Sequence, residues 1–105
     1  MGKRRIIKLD TRTFEKAGDA TAFFSAMLNR YSIGEIVNEL DGLELRALLK
    51  RHDEQHEKVG VGIAHFEVAK APDDYKNQCF WIVRIDGTKI DFSFKHCLEA
   101  KQIDE

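Results

Sequence analysis

Asp86-Gly87 is the local signal that most constrains how this chain folds. It lies between two runs rich in β-branched and aromatic residues, 79–85 and 88–94, and suits the positive backbone angles of a two-residue hairpin turn. Such a loop sets Ile85 opposite Thr88, Val83 opposite Ile90 and Trp81 opposite Phe92. Cys79, Trp81, Val83, Ile90, Phe92 and Phe94 then share the face expected to meet the helices. Phe80, Ile82, Arg84, Lys89, Asp91, Ser93 and Lys95 share the other face, where aromatic and charged groups mix.

Upstream the pattern changes period. Residues 4–9 read as an opening strand, with Phe14 anchoring the connection that follows. Ala20, Phe23, Phe24, Met27, Leu28 and Tyr31 then fall on one face of a helix with Asp19 as its expected N-cap, and Gly34 marks a break. Asp41 is the expected cap of a second helix in which Leu45, Leu48, Leu49 and His52 align. A charged stretch, 53–58, leads through Gly60 and Gly62 into a strand over 61–68. Residues 70–78, with Pro72, Asp73, Asp74 and Asn77, read as an exposed loop, and a short helix is expected after Cys97. The sum is an α+β fold: a predominantly antiparallel sheet packed against two main helices, one small domain over 1–105.

Composition narrows the function classes. Hydrophobic residues at 43% and charged residues at 33% exclude a fully disordered chain. A net charge of -1 argues against a surface that is everywhere a trap for phosphate, although local basic patches remain open. Lys3, Arg4, Arg5 and Lys8 gather at one end, and Glu99, Asp104 and Glu105 at the other; a solubilising role suffices for both. No apolar run approaches the roughly 20 residues that span a bilayer, and the first residues lack a signal-peptide segment. A cytoplasmic protein with no membrane partner is expected, its two cysteines, Cys79 and Cys97, free thiols.

Phe24 to Tyr31 (FSAMLNRY), His52, Glu57 to Ile63 (EKVGVGI), Cys79-Phe80, Arg84, Asp86-Gly87, Asp91-Phe92-Ser93 and Cys97 together resemble, in order and spacing, the domain named for defective chloroplasts and leaves, DCL. The resemblance covers residues 14–97 and suits a small bacterial-type member. The chain departs from the pattern at Asp53, where proline often follows the histidine, and at His96, where lysine often precedes the last cysteine. In plants the family is associated with maturation of plastid ribosomal RNA, and a similar domain lies in the tail of a plant RNA polymerase subunit. The resemblance therefore implies a link to RNA without an agreed catalytic set.

For the chemistry, the expectation is an RNA-associated accessory domain, non-catalytic, in which Phe80 stacks on a base while Arg84, Lys89, Lys95 and Lys58 meet phosphates. The same face admits a purely structural reading, with Phe80 and Ile82 covered and Arg84 paired to Asp91. Gly60 and Gly62 after Lys58 resemble a phosphate cradle only weakly and fit a strand entrance better. A protein adaptor, docking a ribosomal or polymerase partner by a helix face or a sheet edge, is the alternative. A nuclease or hydrolase ranks lower. His52 and His56 are four apart, but Asp53 occupies the place of the required glutamate. Cys97 beside His96, and Ser93 near Asp91, carry no nucleophile motif. Zinc held by Cys79, His96 and Cys97 with His52 or His65 would lack any CxxC pair. No metal, cofactor or catalytic residue is expected.

Overall fold

A computed structural model describes residues 6–52, 55–72 and 74–99. Lys3, Arg4, Arg5, Asp53, Glu54, Asp73, Asp104 and Glu105 lie outside that range. The opening strand is a short ribbon, β1 (Ile7–Lys8) antiparallel to β2 (Thr13–Phe14). Helix α1 (Ala17–Asn29) starts a turn earlier than expected, with Lys16 in extended conformation at its N-cap. Asp19 therefore stands in the first turn, where its charge complements the helix N-terminus, instead of capping it. Ala20, Phe24 and Met27 are the residues α1 buries.

Helix α2 (Glu39–Leu49) is capped by Asn38, whose Oδ1 accepts from Asp41 N at 2.7 Å. Asp41, the expected cap, instead accepts from Arg30 at 2.8 Å and from the Tyr31 hydroxyl at 2.7 Å, tying the end of α1 to the start of α2. Leu45, Leu48 and Leu49 are buried as their spacing predicts, and so is His52 just beyond the helix. A separate short helix, α3 (Gln55–Val59), follows.

The main sheet has the order β3 (Ile63–Ala71), β4 (Asp74–Arg84), β5 (Lys89–Phe92), all neighbours antiparallel. The stretch expected to be a loop, 70–78, is mostly strand: Lys70 pairs with Gln78, and Pro72 sits in the tight turn, where it withholds no ladder donor. Helix α4 (Phe94–Glu99) begins before Cys97 because Ser93 caps it, its Oγ accepting from His96 N at 3.2 Å.

The hairpin register differs from the expected one by one residue on β4. Phe80 pairs with Phe92, and Ile82 with Ile90. The loop has three residues, closed by Arg84 N donating to Thr88 O at 2.8 Å. A two-residue type I′ turn needs positive φ at both central positions. Here Asp86 stays negative and Gly87 alone is left-handed, at φ 89°. The alternation of β4 inverts as a result. Phe80 and Ile82 are fully buried, while Cys79 and Trp81 face away from the core and are only half-buried. The Phe80 ring stacks on Phe92 at 6.1 Å and meets Phe94 edge-on at 6.3 Å. Helices α1 and α2 pack against α4, and Phe24 closes on Phe94 at 6.2 Å.

This register has a direct test. Phe80→Ala should lower the unfolding free energy by about 3–5 kcal/mol, the usual cost of emptying a packed aromatic site, and Trp81→Ala by clearly less. Urea unfolding of the two variants measures the order; the reverse order would return Trp81 to the core.

Candidate functional site

Of the five residues proposed from sequence for RNA contact, four are already engaged, Phe80 in the core and Arg84, Lys58 and Lys89 with oxygens of the protein. Phe80 has no exposed ring face to offer, which corrects its assignment as a stacking platform. Arg84 closes the end of α3: Nε donates to Lys58 O at 3.0 Å, a terminal nitrogen to Glu57 O at 2.9 Å, and the other to Thr88 Oγ1 at 3.2 Å. Helix C-termini leave carbonyls without intrahelical donors, and a guanidinium there also meets the negative end of the helix dipole. Lys58 extends from the same helix end to donate to Asp91 O, on the outer edge of β5, at 2.8 Å. Arg84 and Asp91, expected as a possible pair, each bond to main chain or neighbours of this helix end.

Gly60 makes this arrangement possible. Its φ is +56°, and a Cβ there would stand 2.9 Å from Arg84 Nε. The glycines after Lys58 thus serve the turn out of α3 and the close approach of Arg84. Lys89 reaches across β4 to Glu67 on β3 at 2.7 Å, a pair on the open face of the sheet beside Trp81. Lys95, on α4, is exposed and separate from the others.

A groove of about 340 Å³ opens elsewhere, between α2 and β3. Val37, Gly42, Leu43 and Phe66 supply its apolar lining, with Glu39, Arg46 and His65 among its polar members. Leu43 in its lining is 51% exposed, and Ile36 (61%) and Leu40 (76%), outside the lining, are exposed on the same stretch of chain. Contiguous apolar patches mark contact surfaces more often than chance, and these three residues lie within eight positions of one another. Gly42 is the telling residue. It sits inside a helix, where glycine costs roughly 0.5–1 kcal/mol against alanine. Its φ is not positive, and an added Cβ would make only ordinary contact with Phe66 Cδ2 at 3.7 Å. Neither backbone strain nor packing therefore requires glycine there. Sequence patterning passed over this site because its walls come from distant segments; a glycine inside the α2 stripe was the available clue.

The nucleophile and metal candidates are dispersed. His52 and His96 lie with ring centroids 4.7 Å apart, but Cys79 belongs to the open sheet face and Cys97 is buried. Among the described residues no three His, Cys, Asp or Glu gather around a possible ion. His52 and His56 belong to different segments, and the intervening Asp53 and Glu54 lie outside the described residues. Burial, followed by the nearby Asp91 charge, pushes the Cys79 thiol up to about 11. Among the described residues no helix is long and apolar enough to cross a membrane.

Residues 25–98 match a family described as proteins of unknown function, DUF3223. The chain belongs to this DCL-like family. Its relatives include DNA-directed RNA polymerase IV subunit 1 of Arabidopsis thaliana, 39% identical over 72 residues, which are 69% of this chain and 5% of that protein. The Arabidopsis protein EMBRYO DEFECTIVE 514 is 33% identical over 94 residues, 89% of this chain and 46% of its own length. Protein DCL, chloroplastic, of Solanum lycopersicum is 34% identical over 72 residues, 68% of this chain and 32% of that one. The chain thus spans less than half of each of these relatives. A solution structure of an uncharacterized protein from Rhodospirillum rubrum shares the α+β fold, with TM-score 0.82 and 45% identity over 92% of this chain and 91% of that one. Within the DCL-like pattern, the EKVGVGI stretch, Arg84 and Asp91 all belong to the clasp around α3.

Two outcomes follow from this chemistry. Arg84→Ala should cost about 1–3 kcal/mol of stability, since two carbonyls lose a charged donor, and thermal unfolding without any nucleic acid measures it. The raised Cys79 pKa means that the folded thiol keeps its proton where the unfolded one releases it. That contribution is present below about pH 9 and lost as pH climbs toward about 11. Native-state alkylation of Cys79 by iodoacetamide should accordingly still be accelerating between about pH 9 and 11.

Proposed function

We propose that this chain is a non-catalytic accessory module of an RNA-linked assembly, joined to it by protein contact through the α2–β3 groove. The observation that carries this reading is the combination at that groove. Leu43 stands exposed in its lining with Ile36 and Leu40 exposed on the same stretch of chain, and the floor keeps a helical glycine that the fold does not require. The relatives supply the setting: one is an RNA polymerase subunit in which the matching segment is a small part of a large chain. A module of this size attached to such a machine serves by placement.

Direct RNA contact is the second reading, favoured by the half-buried Trp81 on the open sheet face. Its Nε1 donates to Lys70 O at 3.2 Å, and Lys89 lies beside it. A base stacked on such a ring gains roughly 1–3 kcal/mol, and Lys95 could add a phosphate contact. Glu67 and Asp91 share that face, however, and offset its positive charge. The protein-contact reading therefore stands first.

Gradient sedimentation of extracts from cells making the protein separates the two. We expect it to travel with ribosomal or polymerase particles, to survive ribonuclease treatment, and to move to the free fraction in a Leu40→Lys/Leu43→Lys variant of unchanged melting temperature. Release by ribonuclease and by Trp81→Ala/Lys95→Ala would establish RNA contact instead. Migration of the parent as free protein throughout would overturn both.

A further inference from the structure

The groove begins where a partial strand ends. Residues 34–37 run antiparallel along the outer edge of β3: Gly34 N donates to Val68 O at 2.7 Å, Val68 N to Glu35 O at 2.9 Å, and Val37 N to Phe66 O at 2.8 Å. Pairing then stops, because Asn38 turns away to cap α2 and its own N–H goes to the Tyr31 hydroxyl at 3.1 Å. Beyond that point the groove passes beside Ala64, His65 and Phe66.

Charge gives the groove a direction. Arg46 is anchored by a bond from one terminal nitrogen to Ile63 O at 3.2 Å and stands 5.9 Å from the centre of the Phe66 ring. No acidic side chain pairs with it among the described residues. Glu39 lies on the same face of α2, about 10 Å back along the helix at 1.5 Å per residue. One end of the groove therefore favours an anion and the other disfavours it.

We propose that the occupant is an extended segment of a protein partner. It continues the sheet past Phe66 as a short strand, lays an apolar side chain over Gly42 and sets an acidic side chain against Arg46. Strand addition matches an edge already half covered by the chain's own 34–37 segment, and main-chain bonding there leaves specificity to alternate side chains. Gly42 fits the same picture, since the missing methyl keeps the floor low where the apolar side chain enters. This inference rests on the groove being the docking site, and adds the chemistry and backbone form of what docks.

The test is selection of phage-displayed random linear peptides on the intact protein, with Leu40→Lys/Leu43→Lys as counter-target. Enriched peptides should share an apolar and an acidic position at fixed spacing. In amide NMR spectra they should shift Ala64 to Phe66 and slow exchange at Phe66. Arg46→Glu should weaken them by about tenfold, with recovery when the peptide's acidic residue is changed to lysine. Gly42→Ala should weaken them while raising the melting temperature, an outcome that misfolding cannot produce. The proposal is overturned if no peptide is enriched over the counter-target, if the winners bind Arg46→Glu equally well, or if methylating their backbone nitrogens has no effect. Should those failures coincide with co-sedimentation that still depends on Leu40 and Leu43, the docking reading survives and the strand-forming, acidic occupant does not. Peptide binding without co-sedimentation would leave the extended, acidic occupant standing and remove the RNA-linked assembly.

Discussion

One main-chain hydrogen bond, from Arg84 N to Thr88 O, sets the rest of the molecule in place. It closes the three-residue loop of the β4–β5 hairpin, and so decides which side of β4 points inward. With that register Phe80 and Ile82 join Phe66, Val68 and Phe92 in the core, and Trp81 stays outside. The alternative carries a definite cost. A buried indole needs a partner for its N–H, and outside the core that partner is available as Lys70 O at 3.2 Å. The same bond brings Arg84 to the end of β4, where its side chain can close α3.

From that clasp the sheet edges acquire their character. Lys58, projecting from the end of α3, covers a main-chain oxygen of β5, the kind of lysine that discourages edge-to-edge pairing. The far edge, on β3, is covered by the chain's own residues 34–37. That segment is held in turn by the α1–α2 junction: Gln78 donates to the carbonyls of Leu28 and Tyr31 at 2.9 and 3.0 Å, and Tyr31 bonds to Asp41. The cover ends at Phe66, where the α2–β3 groove takes over.

The parts of this fold that were legible in the sequence are those written locally. The α1 and α2 stripes, the break at Gly34 and the hairpin around Gly87 all follow from period and turn chemistry, and with them the α+β class. The register was not legible, because Asp86-Gly87 serves a two-residue or a three-residue loop depending on the φ of Asp86, and the dipeptide alone does not fix that angle. Residues 70–78 read as a loop from their proline and polar side chains, yet partner strands drew them into the sheet, a tertiary effect that outweighs local preference. As for the site, residue type announced the positive charge of Arg84, Lys58 and Lys89 without announcing which oxygen each would meet.

In a small domain the oxygen that a basic residue already holds decides what else it can do. A cation bonded to helix carbonyls contributes stability that phosphate contact would have to replace, at roughly 1.5–3 kcal/mol for a charged hydrogen bond. Arg84 makes two such bonds and is hemmed in by Gly60, so moving it toward a ligand would open the end of α3. A residue engaged this way supports the fold first. Gly42 presents the opposite case: alanine there would favour the helix and meet no clash, and the position lines an open groove. Where a residue is worse for the fold than an available substitute, the fold is not its explanation, and in this domain that reasoning separates the clasp around α3 from the groove between α2 and β3.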